Sequence, residues 1–232
     1  MDVSARAGKA RKIVHLLRGR VSLEGAQVLE VGTGSGVIAA ALKEAVGSDG
    51  EVWAVDTVDQ RLDPEAVSFL PVTDTKLPFP DGTFDLVISN HVVEHVGDWE
   101  AQHDHMRELA RVLRPDGWVY LAMPNRWAPI EPHFKLPFLS WLPESRRSGY
   151  VRATRRGPRY DCRPLTRGQL EELFRAHGFD YTELSREAIE AMRDVEEPSA
   201  STRAMIRVAP LVFTIARPVL PSLIFLAQRR AE

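Results

Sequence analysis

The stretch Val28-Leu29-Glu30-Val31-Gly32-Thr33-Gly34-Ser35-Gly36 constrains this chain more than any other, because a strand-like apolar run passes directly into three glycines at alternate positions. Glycine lets the backbone turn sharply and removes the Cβ that would hold a ligand off the main chain. In an open α/β sheet such a turn lies at the carboxyl ends of the strands, where ligands bind. A helix-like run, Val37 to Val46, follows at once and stops at Gly47. The phosphate-loop spacing GxxxxGK is absent. The dinucleotide spacing GxGxxG fails from Gly32, where position 37 is Val37, but is met in relaxed form from Gly34 with Ala39 as the third small residue. The loop alone leaves a dinucleotide open.

Periodicity and breakers place the remaining elements. Ala26 to Val31 reads as a first strand and Val52 to Val55 as a second, ending at Asp56; Ser68 to Val72 is a weaker third and Phe84 to Ser89 a fourth. A helix runs from Asp98 to Leu113, Arg114-Pro115-Asp116-Gly117 stops it, and Trp118 to Ala122 is a fifth strand. From 126 to 164 proline, arginine and aromatic residues follow no clean period, which suggests an inserted cap. Thr166 to His177 resumes as a helix with Thr166 as N-cap and Gly178 as stop. Tyr181 to Ser185 reads as a sixth strand, Ser201 to Ala216 as a helix and Ser222 to Gln228 as a seventh strand, while 1–20 forms a basic helix bearing Ile13, Val14, Leu16 and Leu17. The expected architecture is α/β, one domain over 1–232, with a mostly parallel sheet and helices on both faces.

Composition narrows the surroundings. With 30 Lys+Arg against 32 Asp+Glu, the chain lacks the basic excess of a general nucleic-acid binder, so no nucleic-acid partner is expected. A single Cys162 can form neither an internal disulfide nor a cysteine cage, and a reducing, cytoplasmic setting is the expectation. The amino-terminal segment has no unbroken apolar region of signal-peptide type. Near the other end the uncharged runs Val208 to Ala216 and Pro218 to Gln228 are far shorter than the roughly 20 residues of a spanning helix. A soluble protein with an apolar core strand at its end is expected.

Four further segments give the loop its context: Leu77-Pro78-Phe79-Pro80-Asp81-Gly82-Thr83-Phe84-Asp85, His91-Val92-Val93-Glu94-His95-Val96, Arg111-Val112-Leu113-Arg114-Pro115-Asp116-Gly117, and Pro124-Asn125. With the ExGxGxG loop these resemble, in order and spacing over residues 26 to 125, the class I S-adenosylmethionine-dependent methyltransferases of the ubiquinone and menaquinone biosynthesis type. The resemblance implies a seven-stranded Rossmann-like sheet with an antiparallel last strand, and S-adenosyl-L-methionine as cofactor. It implies cofactor contacts from Glu30, Gly32, Thr33, Gly34, Gly36 and Asn90, with Asp56 on the ribose, a diol for which a carboxylate is a suitable double acceptor. Where relatives carry an adenine-binding Asp this chain has Thr73; Asp74, one place later, takes that contact, or else the backbone of Asp74 and Thr75 does.

Methyl transfer from a sulfonium asks chiefly for alignment and exclusion of water. A general base is needed only when the acceptor must lose a proton. His91 and His133 are the candidates; His95 is expected to pack or cap locally. Glu94, His95 and Asp98 are of the right type for a divalent ion, but their spacing does not specify one and no metal is assigned. In the insertion, Trp127, Phe134, Phe138 and Trp141 offer an apolar lid, and Glu131 and His133 offer hydrogen bonds to a polar acceptor. Arg146, Arg147, Arg152, Arg155, Arg156, Arg159, Arg163 and Arg167 fall within 22 residues containing one acid, Asp161. Such density favours an anionic small-molecule or lipid-linked acceptor, or anionic head groups at a membrane surface. The alternative is a non-catalytic S-adenosylmethionine-binding module on the same scaffold.

Overall fold

The computed structural model describes residues 3–191 and 216–230, with side chains from residue 6. Five parallel strands form one side of the sheet: β1 (Gln27–Val31), β2 (Glu51–Asp56), β3 (Ser68–Pro71), β4 (Phe84–Asn90) and β5 (Leu113–Pro124). β6 (Phe179–Glu183) and β7 (Ser222–Arg229) complete the spatial order β3-β2-β1-β4-β5-β7-β6, with β7 antiparallel to both neighbours. This is the expected seven-stranded sheet. Because it is covered on both sides, its central strands read as continuous apolar runs rather than alternating ones.

Helices α1 (Val3–Leu17), α2 (Val37–Val46) and α6 (Ser185–Glu190) lie over one face, where Ile13, Leu17, Leu42, Ile88 and Leu226 are buried together. Helices α3 (Trp99–Val112) and α5 (Arg167–Ala176) cover the other, around Leu29, Val87, Leu109, Phe174 and Phe225. Asp98 caps α3 by accepting from the Ala101 amide at 3.1 Å. Thr166 and Gln169 form a reciprocal capping box on α5, and Gly178 takes φ 74° just past its end.

Three boundaries differ from the sequence reading. Arg114-Pro115-Asp116-Gly117 does not separate helix from strand: β5 starts at Leu113, and these residues form a bulge between the pairs Phe84↔Leu113 and Leu86↔Trp118. Asp116 supports it with φ 63°, so the signature of a turn is here that of a bulge. The sixth strand begins at Phe179, whose ring is buried, and Ser185 already opens α6. The insertion contains α4 (Glu144–Ala153), which has no apolar stripe to betray it. The helix read over Ser201 to Ala216 lies outside the described residues except for its last one.

Within the insertion Phe134, Leu136, Leu139, Tyr150, Val151 and Tyr160 form a small core of their own. Arg147 is buried and ties α4 to the preceding turn through the Ser140 and Leu142 carbonyls. The amide of Arg163 bonds the Glu94 carbonyl at 2.7 Å, and Gln102 Nε2 bridges the Val93 and Arg163 carbonyls. These bonds fasten the cap to the loop after β4.

Candidate active site

At the carboxyl ends of β1, β2 and β4 a cleft of about 420 Å³ opens, bordered by Gly32, Asp56, Thr73, Asp74, Thr75 and His91 among others. Elements far apart in sequence meet there because parallel strands present all their carboxyl ends on one edge. Gly32, Gly34 and Gly36 take φ values of 72°, 53° and 75°, which is why this turn needs glycine. At Gly32 a Cβ would lie 2.4 Å from Val92 Cγ2. The Gly34 amide donates to Asp56 Oδ2 at 2.8 Å, and the Thr57 amide to Asp56 Oδ1 at 2.7 Å.

Glu30 sits beneath the loop and is 1% exposed. Its Oε2 accepts from Thr33 Oγ1 at 2.6 Å and from the Ala39 amide at 3.0 Å. Both Glu30 and Thr33 therefore face inward and hold the loop to the first turn of α2. Burial pushes the Glu30 carboxyl up to about 8, against those two hydrogen bonds. Its pKa lies above the unfolded value of 4.5, so the folded chain carries the extra proton; the resulting stabilisation is complete below 4.5 and lost as pH rises through 8. Glu30→Gln is expected to fold at pH 7 and to lose less stability than the parent between pH 5 and 8. Glu30→Ala is expected to cost about 2–4 kcal/mol by orphaning a buried amide and hydroxyl. Urea unfolding across that pH range checks both; a parallel pH slope in Glu30→Gln would refute the shift.

Asp74 borders the cleft, and its Oδ1 accepts from the Lys76 amide at 2.8 Å, closing a local turn. Behind it, Arg111 binds the Leu77 and Phe79 carbonyls as well as Asp81 and Glu108. The Leu77 amide returns to Glu108. One guanidinium thus links two of the sequence segments quoted above, and Leu77 forms part of the cleft wall. Asn90 does not border this cleft. It faces a second cavity of about 240 Å³ with Lys9, Tyr120 and Ser185, and its Oδ1 is buried without a hydrogen-bond partner. His91 borders both spaces and has φ 61°.

Beside His91 lies a cluster that sequence proximity could not reveal in full. The Glu94 side chain is fully buried, with His91 Nδ1 at 3.3 Å and His133 Nε2 at 3.2 Å from its Oε1. Burial alone would raise the Glu94 carboxyl, but hydrogen bonding from His133 and the neighbouring His91 hold it down at about 2. Glu94 in turn raises His133, while burial lowers His91. His95 corrects the expectation of local packing: its side chain is 39% exposed and faces His133, with Cys162 Sγ 3.8 Å from its Nδ1. Asp98 is occupied as the α3 cap and does not join the cluster. Glu131 is buried; its Oε2 accepts from the Phe134 amide at 2.6 Å within the cap, while its Oε1 has no hydrogen-bond partner.

Of the eight arginines, Arg147 is buried, Arg163 pairs with Glu144 at 2.6 Å and Arg167 with Glu171 at 2.7 Å. Arg146, Arg152, Arg155, Arg156 and Arg159 are exposed and make no ion pair among the described residues. On the same cap Trp127, Ile130, Phe138 and Trp141 are 42–58% exposed. The Trp127 and Phe138 rings meet Trp141 at 6.0 and 4.9 Å between centroids. No described helix is long and apolar enough to cross a membrane.

Comparison with known proteins agrees with this geometry. A ubiquinone/menaquinone biosynthesis C-methyltransferase of Laribacter hongkongensis is 34% identical over 129 residues, 51% of this chain and 52% of that protein. A probable S-adenosylmethionine-dependent methyltransferase of Mycobacterium tuberculosis is 35% identical over 103 residues, 43% of this chain and 36% of its own length. The chain thus spans about half or less of these curated relatives. In fold it resembles the S-adenosylmethionine-dependent methyltransferase of Mesorhizobium loti, with TM-score 0.62, 17% identity, and coverage of 94% of this chain and 96% of that one. The family model described as a methyltransferase domain matches residues 3–184, and the chain belongs to that family.

Proposed function

We propose that this chain transfers the methyl group of S-adenosyl-L-methionine to a small or lipid-linked, anionic acceptor. The convergence of Gly32, Asp56 and the 73–75 loop on one cleft, with His91 standing between it and a second cavity, is the observation that supports the reading. In this reading Asp56 accepts hydrogen bonds from the ribose and Asp74 or its backbone meets the adenine. The loop of Gly32 and Gly34 lies against the rest of the cofactor. The acceptor enters from the second cavity, beside Asn90. Its nucleophilic atom attacks the methyl carbon in line with the breaking carbon–sulfur bond, and the sulfur leaves as a neutral thioether. When the acceptor is a hydroxyl or protonated amine, the other ring nitrogen of His91 takes its proton. His133 acts through Glu94, whose carboxylate lies 3.3 Å from His91 Nδ1.

The outer face of the cap favours a lipid-linked form of the acceptor. Exposed tryptophans and exposed arginines carried by one inserted segment suit the boundary between apolar chains and anionic head groups. At about 240 Å³ the second cavity suits a small head group in either case. Incubating the protein with S-adenosylmethionine carrying a tritiated methyl group and an extract of its source organism is expected to label the lipid or aqueous metabolite fraction. Label confined to macromolecules would overturn the small-acceptor reading. Absence of binding heat with S-adenosylmethionine in calorimetry would remove the cofactor and leave a methyltransferase scaffold without its chemistry.

A further inference from the structure

The group of His91, Glu94 and His133 has more ligating capacity than a hydrogen-bonded trio uses. Glu94 is fully buried, and its Oε2 has no partner; His91 Nδ1 is buried and, although 3.3 Å from Glu94 Oε1, makes no hydrogen bond of acceptable geometry. The separations of 3.2 and 3.3 Å exceed the roughly 2.7–2.9 Å of a charge-assisted N–H···O bond. Both are close to the edge of a tetrahedron, about 3.3–3.6 Å, for ligands about 2.0–2.2 Å from a central ion, so a small movement would let the three atoms share one. All three ligating atoms lie within 4.8 Å of one another. Two imidazoles and one carboxylate are a donor set suited to first-row divalent transition ions rather than to calcium or magnesium.

We infer that His91, Glu94 and His133 form a binding site for one divalent transition-metal ion, of the class of zinc, cobalt or manganese, with an open coordination position toward the cleft. Three protein ligands and one open position are the arrangement of a metal that meets a substrate. His91 is the ligand that borders both the cleft and the second cavity, so an acceptor oxygen reaching the ion would approach along its side. Bound there, a hydroxyl acceptor would lose its proton to water more readily, and its oxygen would be fixed for attack on the methyl carbon. His91 would then serve as ligand in place of base. This use of the ion rests on the methyl-transfer reading, whereas binding of the ion does not.

His133 also belongs to a second group, with His95 and Cys162. The first group is the stronger because its carboxylate is buried with an unused oxygen. Chelator-treated, metal-free protein should take up one equivalent of Zn²⁺ in calorimetry and retain it through gel filtration, as measured by elemental analysis. Co²⁺ in its place should give a visible ligand-field spectrum of low coordination number. His133→Ala, a partly exposed cap position, and Glu94→Gln should each weaken Zn²⁺ binding at least about 100-fold with an unchanged circular dichroism spectrum. Cys162→Ser should leave uptake intact. No stoichiometric uptake by the parent, undiminished uptake in both His133→Ala and Glu94→Gln, or loss of uptake in Cys162→Ser would overturn the site. S-adenosylmethionine binding to the same metal-free sample separates failure here from failure of the cofactor reading.

Discussion

Gly32→Ala is expected to lower the unfolding free energy by about 2–5 kcal/mol and the melting temperature by on the order of 10 °C. Two costs combine. The left-handed backbone at φ 72° is unfavourable for alanine by about 1–2 kcal/mol. The new methyl would stand 2.4 Å from Val92 Cγ2, an overlap that a packed interior relieves only at about 1–3 kcal/mol. Val92 is in the loop after β4, so relief by movement would displace the neighbouring His91. The double variant Gly32→Ala with Val92→Ala should recover the overlap part and keep the backbone part. Urea denaturation of all four members of that cycle measures the coupling; strict additivity would show that the two residues do not collide.

The second large effect concerns the cofactor. Asp56→Ala is expected to weaken S-adenosylmethionine binding by about 10- to 10,000-fold, corresponding to the loss of one or two hydrogen bonds to a charged acceptor at about 1.5–3 kcal/mol each. Part of that loss is conformational. Asp56 Oδ2 accepts the Gly34 amide at 2.8 Å, so the same carboxylate that would meet the ribose also holds the glycine turn in shape. Asp56→Asn keeps an acceptor of similar shape and should fall between the parent and Asp56→Ala. Isothermal titration of each variant decides the matter: equal affinities would mean that the ribose contact is made elsewhere.

What was legible in the sequence was local. Strand, glycine turn and helix lie within twenty consecutive residues, and each boundary carries its own chemical marker, so β1, α2 and the turn between them match their expected positions. α4 escaped because its buried residues, Arg147 and Val151, form no apolar stripe. β5 begins earlier than its sequence pattern predicts because proline and Asp-Gly mark a bulge and a turn alike. The site divided along the same line. Gly32 and Asp56 announce themselves through spacing, whereas the neighbourhood of Glu94 depends on His133, 39 residues later, delivered by a cap without periodicity. Glu131, adjacent in sequence to the same cap residues, turned inward because the Phe134 amide needed an acceptor.

The placement of β7 has a kinetic consequence. Trp118 to Pro124 pair antiparallel with Gln228 to Ser222, and β6 reaches the sheet only through β7. During synthesis the edge of β5 must therefore wait about a hundred residues for its neighbour, while the half formed by β1 to β4 has its partners already. Long sequence separation slows such pairing, and an unpaired edge is a template for association. The glycine turn, Asp56 and the β4 loop belong to the half that can form first, whereas β6 and α6 are seated only after residues 222–229 leave the ribosome. A nascent chain thus holds a nearly formed cleft at the glycine turn while one wall of the second cavity is still missing.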